Sequence, residues 1–272
     1  MIKSLIKEMA TFNVAISLST INVSALSQRL SDLRYCFVLL VGILFTLNVY
    51  AEEAGEQDSI DYKLSYTYFH TKALHANDLN LRAGRDDQVL WLAGYQENPS
   101  NFHQVRTGYE RTDRFSVVKV VSSLQLASHG FLGGAITAEI GAPFYAIVGY
   151  GRTNLKPYTN INFDPNDAVT LGAGWHVDQD LSVAIYGVQD NRVVDGQRIT
   201  HLVVSRSFEG AQRLILDVFN KSGPPDNQGE SIRAMGASIT YDIAQYFMRV
   251  AYDPKVNFTQ ENMLRVSLGV HF

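Results

Sequence analysis

From about residue 59 to the end, the chain alternates between apolar and polar or small side chains in short runs. Each run is separated from the next by turn residues. The last ten residues show the pattern most clearly. Leu264, Val266, Leu268, Val270 and Phe272 fall on one side, and Met263, Arg265, Ser267, Gly269 and His271 on the other. Successive strand side chains face opposite sides of a sheet, so this is a strand with one apolar face and one mixed, mostly polar face. Helical periodicity is not sustained anywhere after Ala51.

The same pattern predicts strands along the rest of the chain. Tyr62, Leu64, Tyr66 and Tyr68 oppose Lys63, Ser65 and Thr67; Leu79, Leu81 and Ala83 oppose Asn80, Arg82 and Gly84. Val89, Trp91, Ala93 and Tyr95 form the apolar side of a third run. Val105, Thr107 and Tyr109 oppose Gln104, Arg106, Gly108 and Glu110 in a fourth. Further runs set Val118, Val120, Leu124 and Leu126 against Lys119, Ser123 and Gln125, then Leu132, Ile136 and Ile140 against Ala135, Thr137 and Glu139. Phe144 to Arg152 is apolar on both faces, so its phase is open. Val169, Leu171, Ala173 and Trp175 alternate again, followed by runs through Ile185, Leu202, Leu216, Ile239 and Val250, the last with Arg249 on the opposite side. That makes about fourteen strands of ~9–11 residues, or twelve if two short hairpins are miscounted. Tight turns such as 85–87, 112–114 and 178–180 alternate with longer loops such as 97–102, 153–166 and 221–230.

This organisation resembles that of Gram-negative outer-membrane β-barrels, and the closing strand with its terminal Phe272 resembles theirs. The resemblance implies an all-β, transmembrane, up-and-down antiparallel barrel over residues 52–272, with short turns on the periplasmic side and longer loops outside. It further implies that Phe272 is the C-terminal assembly signal, read by the barrel assembly machinery, and that the protein sits in the outer membrane among its lipids. Closure follows from the solvent: an open sheet edge in lipid would leave a row of unpaired backbone groups, each costing several kcal/mol. Tyr66, Tyr68, Trp91, Tyr95, Tyr109, Trp175, Tyr241, Tyr246 and Tyr252 are expected on the outward face near strand ends, as an aromatic girdle. A soluble secreted β-sandwich also alternates; the terminal aromatic and the repeated outward rings favour the barrel.

Upstream, the one continuously apolar stretch is Cys36 to Leu47, too short to span a bilayer as a helix, which needs ~20 residues. Arg29 and Arg34 precede it, and Val49-Tyr50-Ala51 offers small residues at the positions a signal peptidase reads. Residues 1–51 are therefore expected to be a signal peptide, with an upstream extension that an over-long start explains, cleaved after Ala51. Cys36 is the sole cysteine, so the mature chain has no disulfide and no thiolate metal site. Removing four of the 23 basic and two of the 27 acidic residues with the leader leaves 19 and 25, a net charge near −6. That gives no support for nucleic-acid binding, which wants a basic face.

No catalytic set stands out. His201, Ser205 and Asp217 share an inward face and make a Ser-His-Asp site conceivable, but polar lumen positions make coincidence the simpler account. No close-spaced histidine pair suggests a metal, and no cofactor is implied. The inward charges are the candidates for function: Lys63, Arg82, Arg106, Lys119, Arg213, Arg249 and Arg265 against Glu110, Glu139 and Asp217. They are read either as a lattice of paired charges stiffening the lumen or as a constriction biased toward anions. Glu110 lies within pairing reach of Arg106. The loop Asn160–Asp167 is expected to bind a divalent cation, to fold into the mouth, or to be a solvated turn. Inward glycines (Gly84, Gly94, Gly108, Gly133, Gly172, Gly174, Gly269) are expected to leave room in the lumen. The reading that follows is a monomeric, narrow, porin-like channel for small solutes. An outer-membrane enzyme acting on lipid or peptide, or a structural barrel without transport, are the alternatives.

Overall fold

The computed structural model describes residues 60–160, 164–225 and 229–272. The leader and its cleavage site lie outside the described residues. Fourteen strands form one closed antiparallel barrel: β1 (Asp61–His70), β2 (His75–Arg85), β3 (Gln88–Asn98), β4 (His103–Phe115), β5 (Val118–Ala127), β6 (Phe131–Ile140), β7 (Phe144–Thr153), β8 (Ala168–His176), β9 (Leu181–Asp190), β10 (Arg198–Phe208), β11 (Gln212–Gly223), β12 (Ile232–Ile243), β13 (Tyr246–Asp253) and β14 (Met263–His271). Each strand pairs with its sequence neighbours, and β1 pairs with β14 to close the ring. At the seam, Tyr62 and Phe272 exchange two backbone hydrogen bonds, of 2.9 and 3.0 Å, and their rings stack at 5.5 Å.

Connections alternate as the sequence predicts. One end carries the tight turns, among them 86–87, 116–117 and 244–245; the other carries the longer loops 154–167, 191–197, 224–231 and 254–262. The turns have local chemistry to match. The Asp178 carboxylate accepts the N–H groups of Asp180 and Leu181 at 2.8 and 2.7 Å, and these bonds hold its pKa below the ordinary carboxylate value.

Outward positions form a continuous apolar belt, with Leu124, Ile136, Val148, Leu171, Ile185, Leu202, Met235, Met248 and Leu268 all exposed. A water-soluble monomer does not expose an apolar surface of that extent; a bilayer covers it. The fold is a transmembrane up-and-down barrel.

Two strands with apolar residues on both faces needed the structure to set their phase. β3 turns opposite to the sequence expectation. Leu90 (60% exposed) and Leu92 (56%) face lipid, while Trp91 and Tyr95 are buried inside and leave the girdle. β7 presents Phe144, Val148 and Tyr150 outward and Tyr145 and Ile147 inward.

The inward glycines do not leave empty space. Gly108, Gly174, Gly236 and Gly269 each lie directly across the ladder from an inward aromatic: Trp91, Tyr145, Phe219 and Phe247. A Cβ built at any of the four would come within 2.0–2.5 Å of that ring. The ring lies flat over the glycine, which covers bare backbone and pins the register. Gly94, on the re-phased β3, now faces outward and meets nothing within 4 Å.

Candidate functional site

The described residues of the loop between β7 and β8 reach inward to opposite walls of the lumen rather than into solvent. On one wall, Gln104 of β4 donates through Nε2 to the Pro157 carbonyl at 3.0 Å and accepts the Thr159 N–H at 2.9 Å. Arg106, two residues on, donates through Nη1 to the Thr159 carbonyl at 3.3 Å. Tyr158 stacks on Phe131 at 4.1 Å, and burial raises the pKa of its phenol. On the other wall, Asp164 sits 2.8 Å from Nε2 of His201 on β10. β4 and β10 are six strands apart in a ring of fourteen, close to diametrically opposed. Residues 157–160 are thus held on one wall and Asp164 on the opposite one, and these wall-bound parts of a single loop are the strap. A cavity of about 680 Å³ lies on one side of it, bordered by Tyr95, Phe131 and Phe258. A second of about 500 Å³ lies on the other, bordered by Ala135, Glu139 and Tyr145.

His201 is the pivot of the far anchor. Its Nδ1 faces the Asp217 carboxylate at 2.9 Å, so both ring nitrogens face carboxylate oxygens. A neutral imidazole carries a single N–H, so with both carboxylates ionised the two hydrogen bonds call for the imidazolium form. This arrangement also removes the Ser-His-Asp possibility: the nitrogen that would activate Ser205 is engaged by Asp164.

A second loop fills more of the same half. Between β13 and β14, Val256 and Phe258 pack against Ile199, Phe219 and Ile232. Lys221 donates to the Lys255 carbonyl at 3.2 Å and forms a fully buried ion pair with Asp253.

The sequence-derived lumen residues fall into two groups. Lys63, Arg82, Glu110, Lys119 and Glu139 lie toward the turn end and are half-exposed. There Arg82 pairs with Glu110 at 2.7 Å and Lys119 with Glu139 at 3.1 Å, while the Lys63 ammonium lies 3.7 Å from the Phe247 ring centroid. Arg106, Arg249 and Arg265 are in the wall. Arg106 is buried and pairs with Asp78, not with Glu110. Arg249 donates to the Ser238 hydroxyl at 3.1 Å, and Arg265 is buried beside it on β14. Asp78, Lys221, Asp253 and the anchoring role of Gln104 are the residues the sequence reading missed. The added carboxylates Asp78 and Asp253, with Asp242 beside Arg213 at 2.7 Å, reduce the basic excess expected of the inward face. Of the three readings of Asn160–Asp167, its described residues favour the folded-in one, since Asp164 reaches His201 inside the lumen. Its Asp167 also caps the loop base, pairing with Arg192 at 2.9 Å and accepting the Thr153 N–H at 3.2 Å.

No family model matches the sequence, and no curated protein matches it by sequence comparison. Solved structures do match in shape. The outer-membrane protein Omp33 of Acinetobacter baumannii superposes with a TM-score of 0.52 at 11% identity, over 80% of this chain and 100% of that one. The KdgM porin gives 0.43 at 12% identity over 77% and 99%, and an engineered variant of the Rh. blastica porin gives 0.44 at 10% over 79% and 100%. With its closed ring of fourteen strands and its lipid-facing belt, the chain has the fold of a porin-like outer-membrane β-barrel.

Proposed function

We propose that this barrel is an outer-membrane channel for small polar solutes whose bore is set by the strap, residues 157–160 and Asp164. The observation that carries this reading is the pair of anchors on opposed walls. A strap held at both ends, with cavities on either side, narrows a passage without sealing it. Charge preference is expected to be weak. The exposed cations Arg82 and Lys119 each have a carboxylate within 3.1 Å, which leaves Lys63 as the uncompensated charge at the turn end. Lys63, Arg82, Glu110, Lys119 and Glu139 are the proposed contacts of a permeating solute. Arg106, Arg249 and Arg265 hold the wall that the strap leans on.

Planar-bilayer recordings test this. Native protein is expected to show small unit currents with a reversal potential near zero in a salt gradient. Gln104→Ala combined with Asp164→Ala, which loosens the near anchor and removes the far one, is expected to raise unit conductance. A strong preference for either ion sign would overturn the neutral-lumen reading. Silence in both proteins would favour a structural barrel, a reading that the aromatic-covered glycines and the packed loop 254–262 would then explain.

The location and processing belong to the same proposal: a monomer, delivered by a leader cleaved after Ala51 and assembled through the strand ending in Phe272. Fractionation is expected to recover it with the outer membrane, with an N-terminus at Glu52 by mass spectrometry. Recovery in the soluble periplasm would refute the placement.

A further inference from the structure

The lipid-facing rim at the long-loop end carries arginines where the belt has just ended. On β10, Ile199 is fully buried inside, so its neighbour Arg198 points outward; on β12, buried Ile232 sets Arg233 outward in the same way. The ladder places them on one line. Arg198 is paired with Ser222 of β11, and Ser222 with Arg233. Two strand spacings put the two backbones about 10 Å apart, with a hydroxyl between them. The Arg198 guanidinium lies along the barrel over Gly187, where an added Cβ would stand 3.2 Å from its Nε. Arg152 flanks the group on β7, its guanidinium carbon 4.0 Å from the Tyr150 ring centroid and its Nη1 2.8 Å from Asn191 Oδ1.

None of these three arginines has a carboxylate partner among the described residues, although Asp195 and Glu230 are exposed on the flanking loops. At the other end of the barrel, outward Arg111 is held by Asp113 at 2.8 Å, while outward Arg206 lies against the Phe208 ring. Directly below the row, two outward steps toward the barrel's middle, the surface turns apolar at Leu202 and Val218, and one step below Arg233 at Met235. Each outward step is about 7 Å. The arginines thus stand at headgroup height over acyl chains. Arginine is the side chain best suited to that level, because its fork binds phosphate oxygens two at a time.

We propose that Arg198 and Arg233, with Ser222 between them, clamp the phosphorylated headgroup of a membrane lipid whose chains lie on the belt at Leu202, Val218 and Met235. The occupant must be amphipathic, because the cationic row and the apolar belt share one outward face, with Met235 directly below Arg233 and only Thr200 and Asn220 between row and belt on β10 and β11. This inference rests on the membrane-spanning fold and not on transport, so a silent channel leaves it standing.

Folded full-length barrel in dodecyl maltoside micelles is the test. Phosphatidic acid, a phosphomonoester lipid, is added against phosphatidylcholine, and retained lipid is counted by native mass spectrometry. Phosphatidic acid is expected to be retained about tenfold better, which corresponds to about 1.4 kcal/mol. The double variant Arg198→Gln, Arg233→Gln is expected to lose that advantage, and Arg111→Gln to keep it. Should the double variant not fold, as read from heat-modifiable gel mobility, the Arg198→Lys, Arg233→Lys pair serves instead. It keeps the charge but loses the fork, so retention is expected to fall part of the way. Equal retention of the two lipids, unchanged retention in either double variant, or displacement of the lipid by an equal concentration of inorganic phosphate would each overturn the proposal. The last result would mark a site for soluble anions.

Discussion

Ile136→Arg is expected to abolish assembly of the barrel, while Ala135→Arg, one residue earlier, is expected to leave it folded. Both lie near the middle of β6. Ile136 is 49% exposed on the lipid face, whereas Ala135 is exposed to the lumen and borders the cavity on the turn side of the strap. An arginine at the bilayer midplane costs ~2–4 kcal/mol. In the lumen the same guanidinium remains solvated, with Glu139 on the same face. Heat-modifiable mobility after refolding into lipid vesicles reads the difference, and equal behaviour of the two variants would show that β6 is out of phase. Leu268→Arg on β14 is expected to fail like Ile136→Arg. Its neighbour Ser267 is a poor control, although alternation alone marks it as a solvated lumen position. Ser267 is buried, accepts a 2.9 Å hydrogen bond from Thr67 and lies opposite Arg249, so a new arginine there would crowd an existing one.

That contrast shows what alternation along the chain conveys. Strand number, turn order and the lipid face of most strands follow from a local two-residue period, and β8 and β14 are legible residue by residue. β3 is not, because Val89-Trp91-Ala93-Tyr95 and Leu90-Leu92 are both apolar. Only Gly108 on the next strand, which makes room for the Trp91 ring, decides between them. The same limit applies to the glycines: whether one is a gap or a seat for an aromatic depends on its partner across the ladder, which the sequence does not display.

The buried ions were missed for a different reason. Asp78, Lys221 and Asp253 sit where the apolar outward signal ends, so the sequence assigns them to loops or leaves them between elements. The strands in fact continue above the lipid belt, β2 from His75 and β11 to Gly223, with polar residues outside and ion pairs inside. A signal was present. Asp78 and Arg106 lie on strands two apart, and an acid and a base at matching heights on inward faces form a testable pair. Reading it requires the register of both hairpins. The strap is less legible still, because its anchors, Gln104 and His201, are distant in sequence and ordinary in composition.

Arg106→Ala is expected to destabilise the barrel by ~3–5 kcal/mol, the cost of leaving one partner of a buried ion pair without the other. The side chains of Arg106 and Asp78 are 1% and 3% exposed, so bulk water does not reach the pair to screen it. Removing the guanidinium strands the Asp78 carboxylate in a site closed by Gln104, the strap and Tyr95. It also removes the bond to the Thr159 carbonyl, so one strap anchor weakens at the same time. The comparison variant is Arg82→Ala. Its pair with Glu110 has the same chemistry and joins the same two strands, four residues nearer the turn end, but both side chains are about one-third exposed, at 34% and 31%. Solvent-screened pairs of that kind contribute ~1 kcal/mol or less. Urea unfolding in detergent micelles should therefore separate the two variants by several-fold in lost stability. Replacing both buried partners with apolar residues, Arg106→Met with Asp78→Leu, is expected to recover most of the loss, because no charge is then left buried. Unit conductance supplies the second readout. The apolar pair restores stability but not the hydrogen bond to Thr159, so its current is expected to stay above the native value while its unfolding midpoint returns toward it. If Arg106→Ala costs no more than Arg82→Ala, water reaches Asp78 and the wall behind the strap is not the dry, ion-paired support described above.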